Sequence, residues 1–181
     1  MVKIDNKISL KDNFLIKLEK AINKAIRINN LVDFIPEVGM NIAYAKHQAS
    51  SIYDVAGLSG RVINAMGKPL SCGETVYGGS KYLSSAIIKA MSIDPSKRAA
   101  LNIRGGKDIK MKLESFGLHV TLLPTKVEGK ICPVTSYLEK SNRLTDAYLH
   151  PGDFGVESTT TIIGEDPMQL VDLLEKLVKL E

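Results

Sequence analysis

The sequence predicts one α/β domain, a layered sandwich in which a mixed, partly parallel sheet is flanked by helices. Three observations lead there. Segments with apolar residues at helical three-and-four spacing alternate along the chain with short apolar or β-branched runs. The length, 181 residues, is that of a single domain. Neither an internal repeat nor a low-complexity linker divides it. Within residues 1–181, residues 1–30 read as an amphipathic helix or connector and residues 31–181 as a ligand-binding α/β core.

The elements follow in order. From Asp12 to Asn29 the residues Phe14, Leu15, Leu18, Ala21, Ile22, Ala25 and Ile26 share one helix face. Pro36 and Gly39 then break helix, and Asn41 to Ala45 extends as a strand. Arg61 to Ala65 is a second short strand, which Gly67 and Pro69 should end. Gly78 and Gly79 lead into a helix from Ser80, a candidate N-cap, to Met91, and Asp94-Pro95 closes that unit. Ala99 to Arg104 is a strand, Asp108 to Phe116 a helix stopped by Gly117, and Leu118 to Leu123 another strand. Pro133 to Lys140 forms a short helix, and Thr159 to Ile163 is a β-branched run typical of a buried strand. The last helix, Pro167 to Leu180, has Asp166 as N-cap and Pro167 at its first position.

Composition narrows the function classes. With 44% hydrophobic and 24% charged residues, the chain is neither disordered nor collagenous. No apolar run approaches the roughly 18 residues of a membrane span, so no membrane partner is expected. The polar stretch Met1 to Asn13 lacks a signal-peptide core, which places the expected location in the cytoplasm. The excess of 24 Lys+Arg over 20 Asp+Glu gives +4, but the basic residues are scattered and no nucleic-acid motif accompanies them. Cys72 and Cys132 are too few for a disulfide framework and read as small buried hydrophobes. His47, His119 and His150 are far apart and read as loop or surface residues rather than metal ligands.

Several residues could carry chemistry. The stretch Gly73 to Lys81 fails as a Walker A loop, because Gly79 and Ser80 stand where Lys and a hydroxyl residue are required. Glycines opening a helix still leave free N–H groups at its positive end, with Lys81 beside them. That suits a phosphate, and an ordinary capped turn is the alternative. Arg61 after Gly60, and Arg104 before Gly105-Gly106, stand at strand ends, where open α/β sheets bind ligands and a guanidinium matches phosphate oxygens. Glu37, Asp54 and Glu157 lie in Gly- or Pro-marked turns, where they either shape turns or, if they converge, hold Mg²⁺ through water. No residue is expected to ligate a metal directly.

Taken together, Ile35-Pro36-Glu37-Val38-Gly39 with Asn41, Asp54-Val55-Ala56, Gly60-Arg61-Val62, Gly78 with Ser80, Asp94-Pro95 with Arg98-Ala99-Ala100, Asn102-Ile103-Arg104, and Gly155 with Glu157 resemble the ThiN thiamine-phosphate synthase domain. That domain is usually the C-terminal half of archaeal hydroxymethylpyrimidine-phosphate kinases. The resemblance runs from about Phe34 to the C-terminus. It implies a transferase that joins hydroxymethylpyrimidine diphosphate to thiazole phosphate, releasing pyrophosphate and forming thiamine phosphate. In that reading Arg61 and the residue at 82 are catalytic, the Gly78, Gly79, Ser80, Lys81 turn holds phosphate, and Asn41, Asn102 and Arg104 complete the pocket. Phosphorylated thiamine precursors or thiamine phosphate are the implied ligands; an upstream kinase or DNA-binding domain, or a second copy in a homodimer, is the implied protein partner.

The chain departs from the family pattern twice. Tyr82 stands where a functional His is expected, and a phenol is a poorer proton shuttle near neutrality than an imidazole. Ser158 stands where Pro is expected after Glu157. Impaired turnover is therefore expected, and the alternative is a non-catalytic thiamine-phosphate-sensing domain of a transcriptional regulator.

Overall fold

A computed structural model describes residues 12–126 and 132–180. The polar stretch read for the absence of a signal core lies, up to residue 11, outside the described residues.

The chain runs α1 (Asn13–Ala25), β1 (Ile42–Ala45), β2 (Val55–Leu58), β3 (Val62–Ala65), β4 (Lys68–Ser71), β5 (Thr75–Tyr77), α2 (Lys81–Met91), β6 (Ala99–Arg104), α3 (Lys107–Ser115), β7 (Val120–Leu122), α4 (Pro133–Ser141), β8 (Ala147–His150), β9 (Thr159–Gly164) and α5 (Pro167–Val178). Seven strands form one sheet in the order β5-β2-β1-β6-β9-β8-β7, and β3 and β4 form a separate hairpin. The sheet is mixed as expected, but only the edge pair β7–β8 is parallel. The connection from β7 to β8 passes through α4, the kind of crossover a parallel pair requires.

Strand alternation divides the core into two faces. Ile42 and Tyr44 of β1, Leu101 and Ile103 of β6, and Ile162 of β9 pack beneath α1, α3 and α5. Ala43 and Ala45, Ala100, Ile163 and Tyr148 face the other way, beneath α2 and α4. The amphipathic stripes supply the opposing surfaces: Leu18, Ala21 and Ile22 from α1, and Leu170, Val171, Leu174 and Leu177 from α5. Full burial of each such leucine contributes about 1.5–3 kcal/mol. α3 ends as its sequence implies: Gly117 has φ +80°, and the Gly117 and Leu118 amides bond back to the Glu114 and Leu113 carbonyls, a Schellman stop.

Pro69 does not end strand structure. It sits inside β4, paired with Asn64 on a two-stranded hairpin where its missing N–H costs no inner ladder bond.

Candidate active site

The sheet face beneath α2 and α4 opens into a cavity of about 820 Å³. Its floor is apolar, with Leu83 from α2, Val134 from α4, Leu123 after β7 and Tyr148 of β8. Asn102 of β6 and Thr159 and Thr161 of β9 line it from the sheet, and the loop from Asp153 to Glu157 closes one side.

Arg61 reaches this cavity through a close fit. A Cβ on Gly39 would lie 2.7 Å from the Arg61 Cβ, and Gly39 has φ +81°, so only glycine lets the turn carry that side chain past it. One Arg61 Nη donates to the Gly60 carbonyl at 2.8 Å, and no acidic side chain pairs with the guanidinium among the described residues. Asn41 is 1% exposed and brackets the turn: its Nδ2 donates to the Leu58 and Gly60 carbonyls and its Oδ1 accepts the Leu58 amide. The Asn102 side chain accepts the Asn41 amide and donates to the Gly39 carbonyl, tying the same turn to β6. These two asparagines line the cavity while their amides hold its wall.

α2 starts at the cavity. Its N-cap residue, Ser80, is 2% exposed, lines the cavity and makes no side-chain capping bond, so the first-turn N–H groups of α2 have no cap from their own N-cap side chain. Gly79 does not line the cavity; a Cβ there would lie 2.4 Å from the Gly57 carbonyl oxygen, and this approach seats the helix start on β2. Gly78, with φ +75°, packs beside Tyr53, and Lys81 is exposed outside the cavity. Of that turn, then, only Ser80 faces the cavity. Tyr82 lines the rim and is 54% exposed.

The other sequence candidates are engaged by partners or lie away from the cavity. Arg104 is held away: it chelates the Asp108 carboxylate at 3.1 and 2.6 Å, donates to the Asp33 carbonyl at 2.6 Å and stacks over Phe34. The Arg104 hydrogen bond holds the Asp108 carboxyl below its usual value. Asp54 is spent on a capping box, accepting from the Ser50 and Ser51 amides and the Ser51 hydroxyl, which together lower its pKa. Glu157 lines the cavity, but its carboxylate accepts the Glu37 and Val38 amides at 2.8 and 3.2 Å; Glu37 itself is exposed and does not line it. The three acids do not converge, and no group of three His, Cys, Asp or Glu side chains among the described residues is placed to hold a metal.

The cavity also uses residues that reading the sequence missed. His150 is buried rather than on the surface, and Lys126, Cys132 and Tyr148 line the same space. Cys132 precedes α4, the second helix to start at the cavity without a side-chain cap. Ser158, the second departure, donates its hydroxyl to the His150 carbonyl at 2.9 Å and so anchors the end of the Asp153–Glu157 loop.

A family model for thiamine-phosphate synthase ThiN matches residues 17–176. The chain is 30% identical to the thiamine-phosphate synthase ThiN of Methanothermobacter thermautotrophicus over 84% of its own length and 87% of that protein. It is 29% identical to the bifunctional thiamine biosynthesis protein ThiDN of Methanocaldococcus jannaschii, covering 91% of this chain but 41% of that longer protein. The solved C-terminal domain of a phosphomethylpyrimidine kinase superposes with a TM-score of 0.79 at 26% identity, covering 91% of this chain and 97% of that one. Relatives of this domain thus occur joined to a kinase, and nothing in these comparisons supports the regulator alternative. No helix among the described residues is long and apolar enough to cross a membrane.

Proposed function

The chain belongs to the ThiN thiamine-phosphate synthase family, and on that premise we propose that it condenses hydroxymethylpyrimidine diphosphate with thiazole phosphate in the cavity beneath α2 and α4. One observation carries the reading: Arg61, whose guanidinium has no acidic partner among the described residues, and an uncapped helix start, Ser80, line the same apolar-floored space. Its volume of about 820 Å³ falls within the range of sites that enclose small organic ligands.

In the reaction the C–O bond to the diphosphate breaks, a pyrimidine-methyl cation forms, and the thiazole nitrogen closes the new C–N bond. Charge accumulates on the departing pyrophosphate. Arg61 and the first-turn amides of α2 are fixed donors for that charge, and such preorganised donors supply most of the rate in reactions of this kind. Leu83, Leu123, Val134 and Tyr148 hold the rings and exclude water that would capture the cation. Tyr82 offers a hydroxyl at the rim for a phosphate oxygen and is a poor proton shuttle, so turnover is slow. The fitting partner is a kinase that supplies the pyrimidine diphosphate.

The test mixes the two substrates with purified protein and follows pyrophosphate and thiamine phosphate together. Slow formation of both in equal amounts is expected. Arg61→Ala should weaken thiamine-phosphate binding by about 1.5–3 kcal/mol, the worth of a hydrogen bond to a charged group. No product under any condition, with thiamine phosphate bound equally by Arg61→Ala, would overturn the reading.

A further inference from the structure

His150 ends β8, is 6% exposed and lines the cavity. Both of its ring nitrogens are engaged. Nδ1 faces the Gly152 amide at 3.2 Å and must accept, because an N–H can only donate. The neutral ring then carries its proton on Nε2, which donates to the Thr125 carbonyl at 3.2 Å. With neither nitrogen free, His150 is not an acid or base toward a ligand.

Its two partners belong to different walls. Thr125 directly precedes Lys126, the cavity-lining cation after β7. Gly152 opens the loop that runs to Glu157, and its φ of +85° with a Cβ position only 2.8 Å from the Val156 carbonyl oxygen admits glycine alone. That loop returns to the Glu37 and Val38 amides through the Glu157 carboxylate, and those residues lead into Gly39, on which the Arg61 stem rests. One imidazole therefore links the Lys126 wall to the wall that supports Arg61.

We propose that His150 is a positioning residue: as a neutral imidazole it holds the Lys126 and Arg61 walls at the separation a phosphorylated ligand requires. The ligand named here rests on the synthase reading; the bridge between the walls does not. The ionisable groups that share the cavity with His150 are Lys126, Arg61, Asp153, Glu157, Tyr82, Tyr148 and Cys132.

Three variants separate the two bonds. His150→Asn places an acceptor two residues before Gly152, the geometry of an Asx turn, but reaches no donor to Thr125. His150→Gln carries a donor toward Thr125 and no acceptor for Gly152, and His150→Ala has neither. Amide hydrogen exchange and thiamine-phosphate calorimetry read the outcome. Faster exchange is expected in residues 152–157 for His150→Gln, in residues 123–126 for His150→Asn, and in both for His150→Ala, whose affinity falls about tenfold, the worth of two ordinary hydrogen bonds. Wild-type exchange and affinity in all three variants would overturn the proposal, as would equal losses in all three with a lowered melting temperature. The expected exchange pattern without any thiamine-phosphate binding to the wild type would sink the synthase reading and leave the positioning role standing.

Discussion

The two helices that start at the cavity begin differently from α1 and α5 on the opposite face of the sheet; α3, on that opposite face, starts at Gly106 without a side-chain cap and away from the cavity. On one face α1 and α5 start at Asp12 and Asp166, whose carboxylates accept the Phe14 and Leu15 amides and the Met168 amide. On the other face α2 and α4 start at Ser80 and Cys132 with no side-chain cap, and both starts line the cavity. A carboxylate at a helix start satisfies free N–H groups and neutralises the positive end of the dipole, which closes that end to anions. A start left open keeps both the donors and the field for something that is not part of the chain.

The largest change should come from completing the open end. Tyr82→His places an imidazole at the rim of the cavity, beside the first turn of α2, and should raise turnover by about 10²- to 10⁴-fold, the usual worth of a positioned acid or base. Thiamine-phosphate affinity should stay nearly constant. Steady-state pyrophosphate release compared with calorimetry checks both halves; an unchanged rate would show that residue 82 moves no proton.

A smaller effect is expected from closing the open end. Ser80→Asp gives α2 the kind of start that α1 and α5 have. Like charges brought together cost several kcal/mol, so affinity for thiamine phosphate should fall by about 10²-fold or more. A melting curve must show the fold intact, since Ser80 is buried. Retained affinity in a folded variant would separate the α2 start from phosphate binding.

The smallest effect tests a capped start, that of α1. Burial pushes the Asp12 carboxyl up, yet the Tyr77 hydroxyl and the Leu15 and Phe14 amides outweigh it and hold its pKa below the ordinary value. A lowered folded pKa means stability that is present above the unfolded value, near pH 4, and lost as the pH falls below it. Asp12→Asn should therefore lose less stability than wild type on acidification from pH 4 to 2 in denaturant titrations. Parallel curves would show that the Asp12 charge contributes nothing.

The same contrast explains what was legible in the sequence. The capped helices stand out because Asp-Pro at Asp166 and the apolar stripes of α1 and α5 are local signals. β2 and β8 escaped because they are buried on both faces, with no alternation to read, and Gly57 interrupts β2. β5 is only three residues long. In the site, Arg61, Ser80, Tyr82, Asn41, Asn102 and Glu157 were legible and line the cavity. Arg104 and Asp54 looked equivalent in sequence, but partners at Asp108 and at Ser50 and Ser51 claim them. His150 and Lys126 were not legible, because sheet pairing of β8 with β7 and β9 is what brings them to the cavity wall.

The most direct measurement is a calorimetric comparison of thiamine phosphate with thiamine on the wild-type chain. If the open start of α2 and Arg61 form a phosphate site, thiamine phosphate should bind at least tenfold more tightly, and Ser80→Asp should abolish that preference while leaving the weak affinity for thiamine unchanged. Equal affinities for the two compounds in the wild type would contradict the assignment of this cavity to phosphorylated ligands.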